Sequence, residues 1–214
     1  MDLSEVSSYI IEGKVDEAES WTRKALDEGI KPAVIVNQGL IPGMDVVGEK
    51  FENREYYMPE MLVAAKAMKR SMDLLRPLLT EAERSSEYRV VCGTVQGDLH
   101  DIGVSLVAMM LEGAGFDVKF VGADNTPDML LKAVEEHDAQ VLCMSALLTT
   151  TIKNMRETID RATEVEMRDR VLIYVGGAPV TQEFADEIGA DGYKRDAGSA
   201  ARMIKEDLDS KVKA

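Results

Sequence analysis

Along residues 58–79 the apolar positions Met58, Met61, Ala65, Met68, Met72, Leu75 and Leu79 follow alternating steps of three and four. That spacing puts them on one face of a long helix and leaves the charged residues between them facing water. Pro59 suits the first turn, where its missing N–H has no partner to lose. Shorter stretches with the same period cover residues 3–12, 15–28 and 33–51, the last with a break expected at the Ile41-Pro42-Gly43 step. Asp16 and Glu17 stand in the first turn of the second stretch, where free amide groups favour acids. Four helices with short connections make a bundle. Residues 80–87, T-E-A-E-R-S-S-E, are polar and carry no apolar period, which marks a linker.

Beyond the linker the period changes. Short apolar runs at 88–94, 117–121, 140–145 and 171–175 suit buried strands, and a weaker one covers 192–194. Helical stretches at 101–114, 127–136, 151–165, 182–188 and 198–208 separate or follow them. The alternation predicts an α/β fold: a five-stranded parallel sheet with helices on both faces, in the flavodoxin-like (Rossmann-like) order. An all-α four-helix bundle cap precedes it. The expected boundaries are a cap over 1–84, an α/β domain over 88–214 and a linker over about 80–88. Ligands of such sheets bind beyond the carboxyl ends of the strands, near the point where strand order reverses.

Composition narrows the partners. The chain has 214 residues, 45% hydrophobic and 30% charged, as globular proteins do. Its net charge of −14 argues against nucleic acid or an anionic membrane as partner, since both need clustered Lys and Arg. No stretch approaches the roughly 18 consecutive apolar residues of a membrane span. The opening M-D-L-S-E-V lacks a basic segment followed by an apolar one, so no signal peptide is expected. Cys92 and Cys143 lie inside apolar runs and read as buried free thiols rather than a zinc site or redox pair. A cytoplasmic protein fits.

The candidate chemistry lies in residues 93–103, G-T-V-Q-G-D-L-H-D-I-G, which directly follow the first strand. A neutral imidazole at His100 can bind a metal through one ring nitrogen while the other donates to a carboxylate such as Asp98. Gly97 and Gly103 leave room for a bulky ligand beside the backbone. The same residues suit a helix cap or an acidic surface loop equally well. No second histidine or cysteine lies near His100, so a metal cage made by protein alone is not expected. A single axial histidine makes sense where a macrocycle supplies the other ligands. His137, in E-E-H-D, reads as a solvated helix end. Ser145-Ala146-Leu147 follows the third strand and Gly176-Gly177 the fourth, with residues 104–144 and 148–175 between the elements. All three therefore fall at the carboxyl ends of strands.

D-x-H-x-x-G at Asp98, His100 and Gly103, then S-x-L at Ser145 and Leu147, then Gly176-Gly177, resembles the cobalamin-binding domain of methionine synthase. The chain resembles more closely the small corrinoid proteins of methyltransferase systems. The resemblance covers nearly the whole chain, because a helical cap, a linker and a cobalamin domain are that family's layout. It implies a cobalamin (corrinoid) cofactor bound base-off/His-on, with His100 as the lower axial ligand of cobalt. Asp98 would hydrogen-bond the far side of the imidazole, and Thr151 would extend that relay. Ser145 would contact the displaced nucleotide base and Leu147 line its channel. Gly176 and Gly177 would let the nucleotide tail pass close to the backbone. Gly97, Asp101, Ile102, Gly103 and Thr149 join the same cofactor-binding set. Tyr57, Met61 and Leu62 of the cap would lie over the upper face, at places where bundle packing equally calls for apolar residues.

What the resemblance implies about function is methyl carriage. Co(I) would accept a methyl group from a donor on a substrate-specific methyltransferase. Methyl-Co(III) would deliver it to tetrahydrofolate or coenzyme M on a second methyltransferase, and a reductive activase would service the cobalt. The chain would be the corrinoid subunit of a multi-component system, with donor choice residing in the partner. The alternatives are the cobalamin-binding subunit of an adenosylcobalamin mutase, a cobalamin-based sensor, and a cobalamin-free flavodoxin-like interaction domain. Mutase subunits usually lack the cap, and a transcriptional sensor would need a DNA-binding region that this acidic chain is not expected to hold.

Overall fold

The computed structural model describes residues 1–79 and 88–212, so the linker expected at 80–87 lies outside the described residues. The chain divides into two compact units, Met1–Glu87 with Met109–Gly115, and Tyr88–Ala108 with Phe116–Ala214.

The first unit is helical: α1 (Leu3–Ile11), α2 (Val15–Asp27), α3 (Pro32–Ile35), α4 (Ile41–Glu52) and α5 (Met58–Leu75). Asp2 caps α1, accepting from the Ser4 amide at 2.9 Å, and Glu60 accepts from the Tyr57 amide at the start of α5. α2 packs along α5 and α1 along α4. The α5 stripe points inward as its spacing predicts: Met61, Ala65, Met68, Met72, Leu75 and Leu79 are buried, and only Met58 in the first turn is exposed. The break expected at Ile41-Pro42-Gly43 does not occur. The chain stays helical through a π-helical turn, Val36–Leu40, in which the Ile41 amide bonds to the Val36 carbonyl five residues back. Pro42 has no N–H, and its ring would collide with a carbonyl one tight turn earlier; the wider turn removes that conflict. The Gly39 carbonyl in this turn accepts from Ser7 Oγ at 2.6 Å, which ties it to α1.

The second unit is built on β1 (Arg89–Thr94), β2 (Asp117–Phe120), β3 (Val141–Ser145), β4 (Leu172–Gly176) and β5 (Gly192–Tyr193). The helices are α6 (Ile102–Gly113), whose residues from Met109 onward are counted with the first unit, α7 (Pro127–His137), α8 (Lys153–Glu164), α9 (Gln182–Ile188) and α10 (Ala197–Val212). All pairings are parallel and the order is β2-β1-β3-β4-β5, the expected flavodoxin-like arrangement. Leu142 and Met144 of β3 join an apolar cluster with Leu130 and Val134 of α7 and Met155 and Ile159 of α8. Val141 and Cys143, which alternate with them and so face the other side, are buried as well. Burial on both faces explains why the strands read as unbroken apolar runs. Cys92 and Cys143 are buried thiols outside any disulfide, and they stand in register on β1 and β3.

Two features position the site. Strand order reverses between β1 and β3, so the loops leaving those strands diverge and open a crevice. Thr94, Ser145 and Gly176 share one row of the sheet, so all three sequence motifs begin side by side. Among the described residues, no helix is long and apolar enough to cross a membrane.

Candidate functional site at the carboxyl edge of the sheet

The loop leaving β1 first extends the sheet, with the Val95 amide bonding to Ser145 O at 3.1 Å and Val95 bridging Asn125. It then reverses through Gly97, whose φ of +79° lies in the left-handed region that favours glycine. The Asp98 amide closes the turn on Val95 O at 3.1 Å. The turn drives the Asp98 side chain inward, where it is fully buried, while His100 and Leu99 remain exposed.

Five donors converge on the Asp98 carboxylate. Oδ1 accepts from the His100 amide at 3.0 Å and lies 2.9 Å from His100 Nδ1. Oδ2 accepts from the amides of Leu147 at 2.7 Å and Leu148 at 3.3 Å and from Thr151 Oγ1 at 2.7 Å. Burial alone would push this carboxyl up. The hydrogen bonds from Thr151, the His100 and Leu147 amides and the His100 ring outweigh it and hold the group well below the usual carboxylate range. An ionised carboxylate only accepts, so Nδ1 of His100 must carry the proton. In the neutral form of the ring Nε2 is then the unprotonated nitrogen, and it has no hydrogen bond among the described residues. An oriented imidazole with one nitrogen engaged by a carboxylate and the other free is the arrangement metal-binding histidines use.

Asp98, His100, Leu147 and Thr151 are joined by the carboxylate, with Leu147 contributing its amide while its side chain stays exposed. Asp101, Ile102 and Gly103 open α6 beside His100; Ile102 is exposed, and a Cβ at Gly103 would meet nothing within 4 Å. Ser145 and Gly176 lie in register one strand apart, and Thr149 is exposed in the loop after β3. Gly177 has a cause of its own. Its φ is +120°, and a Cβ there would stand 1.9 Å from Ala146 O, so the close approach of two backbones already demands glycine. In the helical unit Tyr57 and Leu62 are exposed, whereas Met61 is buried in the bundle core.

Several residues of the site carry no signal in the sequence. The Asp124 amide bonds to Asp98 O at 3.1 Å and to Thr94 Oγ1 at 2.9 Å, and Asp124 Oδ1 accepts from the Gly97 amide at 2.7 Å. Thr94 Oγ1 also donates to Asp98 O. Asn125 Nδ2 holds Thr94 O and Gly122 O, and Asn154 Nδ2 holds Gln96 O at 2.6 Å.

Among the described residues, no group of three or more His, Cys, Asp or Glu side chains could hold a metal unaided. His100 fits instead a metal that arrives with its other ligands in a ring. Leu99 and Ile102, its near neighbours in the chain, and Leu147 in the loop after β3 carry exposed apolar side chains, and the open space at Gly103 admits a bulky group. These features define a cofactor-binding protein of the flavodoxin-like class. Two family models agree with that reading, both described as a B12 binding domain, one over residues 88–202 and one over residues 3–76. The chain belongs to the B12-binding family of corrinoid proteins. It is 38% identical to dimethylamine corrinoid protein 1 of Methanosarcina acetivorans over 205 residues, covering 95% of this chain and 96% of that one. It is 40% identical to the trimethylamine corrinoid protein of Methanosarcina barkeri over 190 residues, 88% of each chain. Its fold matches the crystal structure of the methanol:cobalamin methyltransferase complex MtaBC of Methanosarcina barkeri with a TM-score of 0.81 and 26% identity, over 94% of this chain and 77% of that chain.

Proposed function

We propose that the protein is a methyl carrier: it holds a corrinoid base-off, with His100 Nε2 as the protein's ligand to cobalt, and shuttles a methyl group between two methyltransferases. The observation that carries this reading is the buried Asp98 carboxylate, which fixes the His100 ring through Nδ1 and leaves Nε2 free. When bound, the cofactor supplies a cobalt centre able to take up and release a methyl group; the chain's own residues bind, orient and hold protons.

Asp98 stays an anion throughout, because its five donors favour the charged form. The carboxylate would hold the Nδ1 proton of His100 and so keep Nε2 available to a metal. Thr151 has one hydroxyl proton for two acceptors, Asp98 Oδ2 at 2.7 Å and Leu148 O at 2.9 Å, and donates to the stronger, the carboxylate. It thereby keeps Asp98 from turning away from the ring. Ser145, Leu147 and Gly176 are assigned to the nucleotide arm, Gly97, Asp101, Ile102, Gly103 and Thr149 to the remaining cofactor-binding surface, and Tyr57 and Leu62 to the upper face of the ring.

The corrinoid proteins named above serve dimethylamine and trimethylamine. A methylated amine is accordingly the first donor class to try, presented by its own methyltransferase. The second methyltransferase, using tetrahydrofolate or coenzyme M, the reductive activase and a cytoplasmic location belong to the same proposal. The test is reconstitution with hydroxocobalamin. The parent is expected to bind it and give the visible spectrum of an imidazole-ligated corrinoid, and His100→Ala to bind it without that spectrum. Identical spectra for the two proteins would overturn the assignment.

A further inference from the structure

Gln96 O and the Gly97 N–H belong to one peptide group, and each is held by a side chain from a different part of the fold. Asp124, in the loop after β2, accepts from the Gly97 amide at 2.7 Å. Asn154, in the first turn of α8, donates to Gln96 O at 2.6 Å. We propose that Asp124 and Asn154 are positioning residues that grip this peptide from its two ends and thereby set the Asp98–His100 pair. The inference rests on the proposed role of His100 only for its functional consequence.

Only Gly97 separates this peptide from Asp98, so its orientation bears directly on where the carboxylate lands. Turned over, it would present a carbonyl to Asp124 and an N–H to Asn154 Nδ2, and both bonds would become repulsive. Gly97 at φ +79° has no Cβ to resist such a turn, so the fold must resist it from outside. Asp124 is itself held in the left-handed region at φ +59°. A residue other than glycine stays there only where its surroundings over-determine it. Here the Asp124 amide is pinned by Asp98 O at 3.1 Å and Thr94 Oγ1 at 2.9 Å. Asp124 and the Val95–Asp98 turn thus hold each other in both directions, with Thr94 bonded to both.

The test compares Asp124→Gly, Asp124→Asn, Asn154→Ala and the parent. Glycine accepts the left-handed φ without strain and removes only the carboxylate; asparagine tolerates the same φ and keeps an acceptor. Amide exchange is read by NMR in the cofactor-free protein at Gly97 and Leu147, with Val175 of β4 as the reference for global stability. Hydroxocobalamin affinity is read separately. Asp124→Gly and Asn154→Ala are each expected to speed exchange at Leu147 roughly ten-fold, the size of one lost hydrogen bond, with Val175 unchanged. Cofactor affinity should fall by a similar factor, and Asp124→Asn should behave as the parent. Exchange at Leu147 equal to the parent's in both Asp124→Gly and Asn154→Ala would overturn the proposal. An imidazole spectrum retained in His100→Ala would overturn the ligand assignment alone, because the exchange measurements need no cofactor.

Discussion

Replacing Asp98 by asparagine keeps the number of heavy atoms in the side chain, removes its charge and exchanges one acceptor oxygen for an NH2 donor. Asparagine offers one oxygen and one NH2 group where the carboxylate met donors on both sides. If the oxygen keeps the Leu147 and Thr151 donors, the NH2 faces the His100 amide and the ring. If it turns the other way, the NH2 faces the Leu147 amide, now 2.7 Å from the oxygen it would replace. Either way about two buried N–H groups lose their acceptor, at roughly 1–3 kcal/mol each, so a loss of about 3–5 kcal/mol is expected. That is a large share of the roughly 5–15 kcal/mol that holds a typical domain together. A second signature accompanies it. In the first of these orientations an N–H faces Nδ1, and the ring is favoured as the other tautomer, whose proton sits on Nε2. Urea unfolding of the cofactor-free protein reads the first effect as a lower midpoint at unchanged slope. Nitrogen-15 NMR of the His100 ring reads the second. A midpoint shift worth less than about 1 kcal/mol, with the proton still on Nδ1, would refute the reasoning, because the convergent donors would then contribute almost nothing net.

Three further outcomes follow from the same geometry. Thr151→Val keeps the shape, removes the hydroxyl and should lose about 1–2 kcal/mol in the same urea assay, whereas Thr151→Ser should retain most of it. Gly177→Ala would drive a Cβ into Ala146 O and should lower stability by roughly 3 kcal/mol or more, read as a depressed melting temperature or as failure to recover folded protein. Because folding depresses the Asp98 carboxyl below its ordinary value of 3.8, its contribution is complete above that pH and is lost as the pH falls below it. The parent should therefore lose stability more steeply with acid than Asp98→Ala; parallel curves below about pH 4 would contradict this.

Much of the fold was legible because its physics is local. Parallel strands buried on both faces leave unbroken apolar runs, and the α5 stripe reports one buried helix face; both survive in the structure to within a few residues. Asp98 and His100 were legible as a pair because the bond between them spans two residues of one loop. Thr151 was reached only through the spacing of a motif, since 53 residues separate it from Asp98. Asp124 and Asn154 were not legible at all. Each acts on a main-chain group, 27 and 58 residues away, and a side chain that binds backbone leaves no chemical partner to find in the sequence. The π turn escaped for a similar reason: proline announces a conflict with the helix, while the choice between breaking and widening belongs to tertiary packing. Met61 shows the limit of apolar spacing, which marks a buried face without saying what covers it.

The most direct measurement is electron paramagnetic resonance of the hydroxocobalamin-loaded protein after one-electron reduction, in samples with ordinary and nitrogen-15-labelled histidine. If His100 Nε2 is the ligand, the nitrogen splitting of the cobalt signal changes from three lines to two with the label, and disappears in His100→Ala. A three-line splitting that ignores the label would mean the cofactor's own base remains attached, and the role given to the Asp98–His100 pair would be wrong.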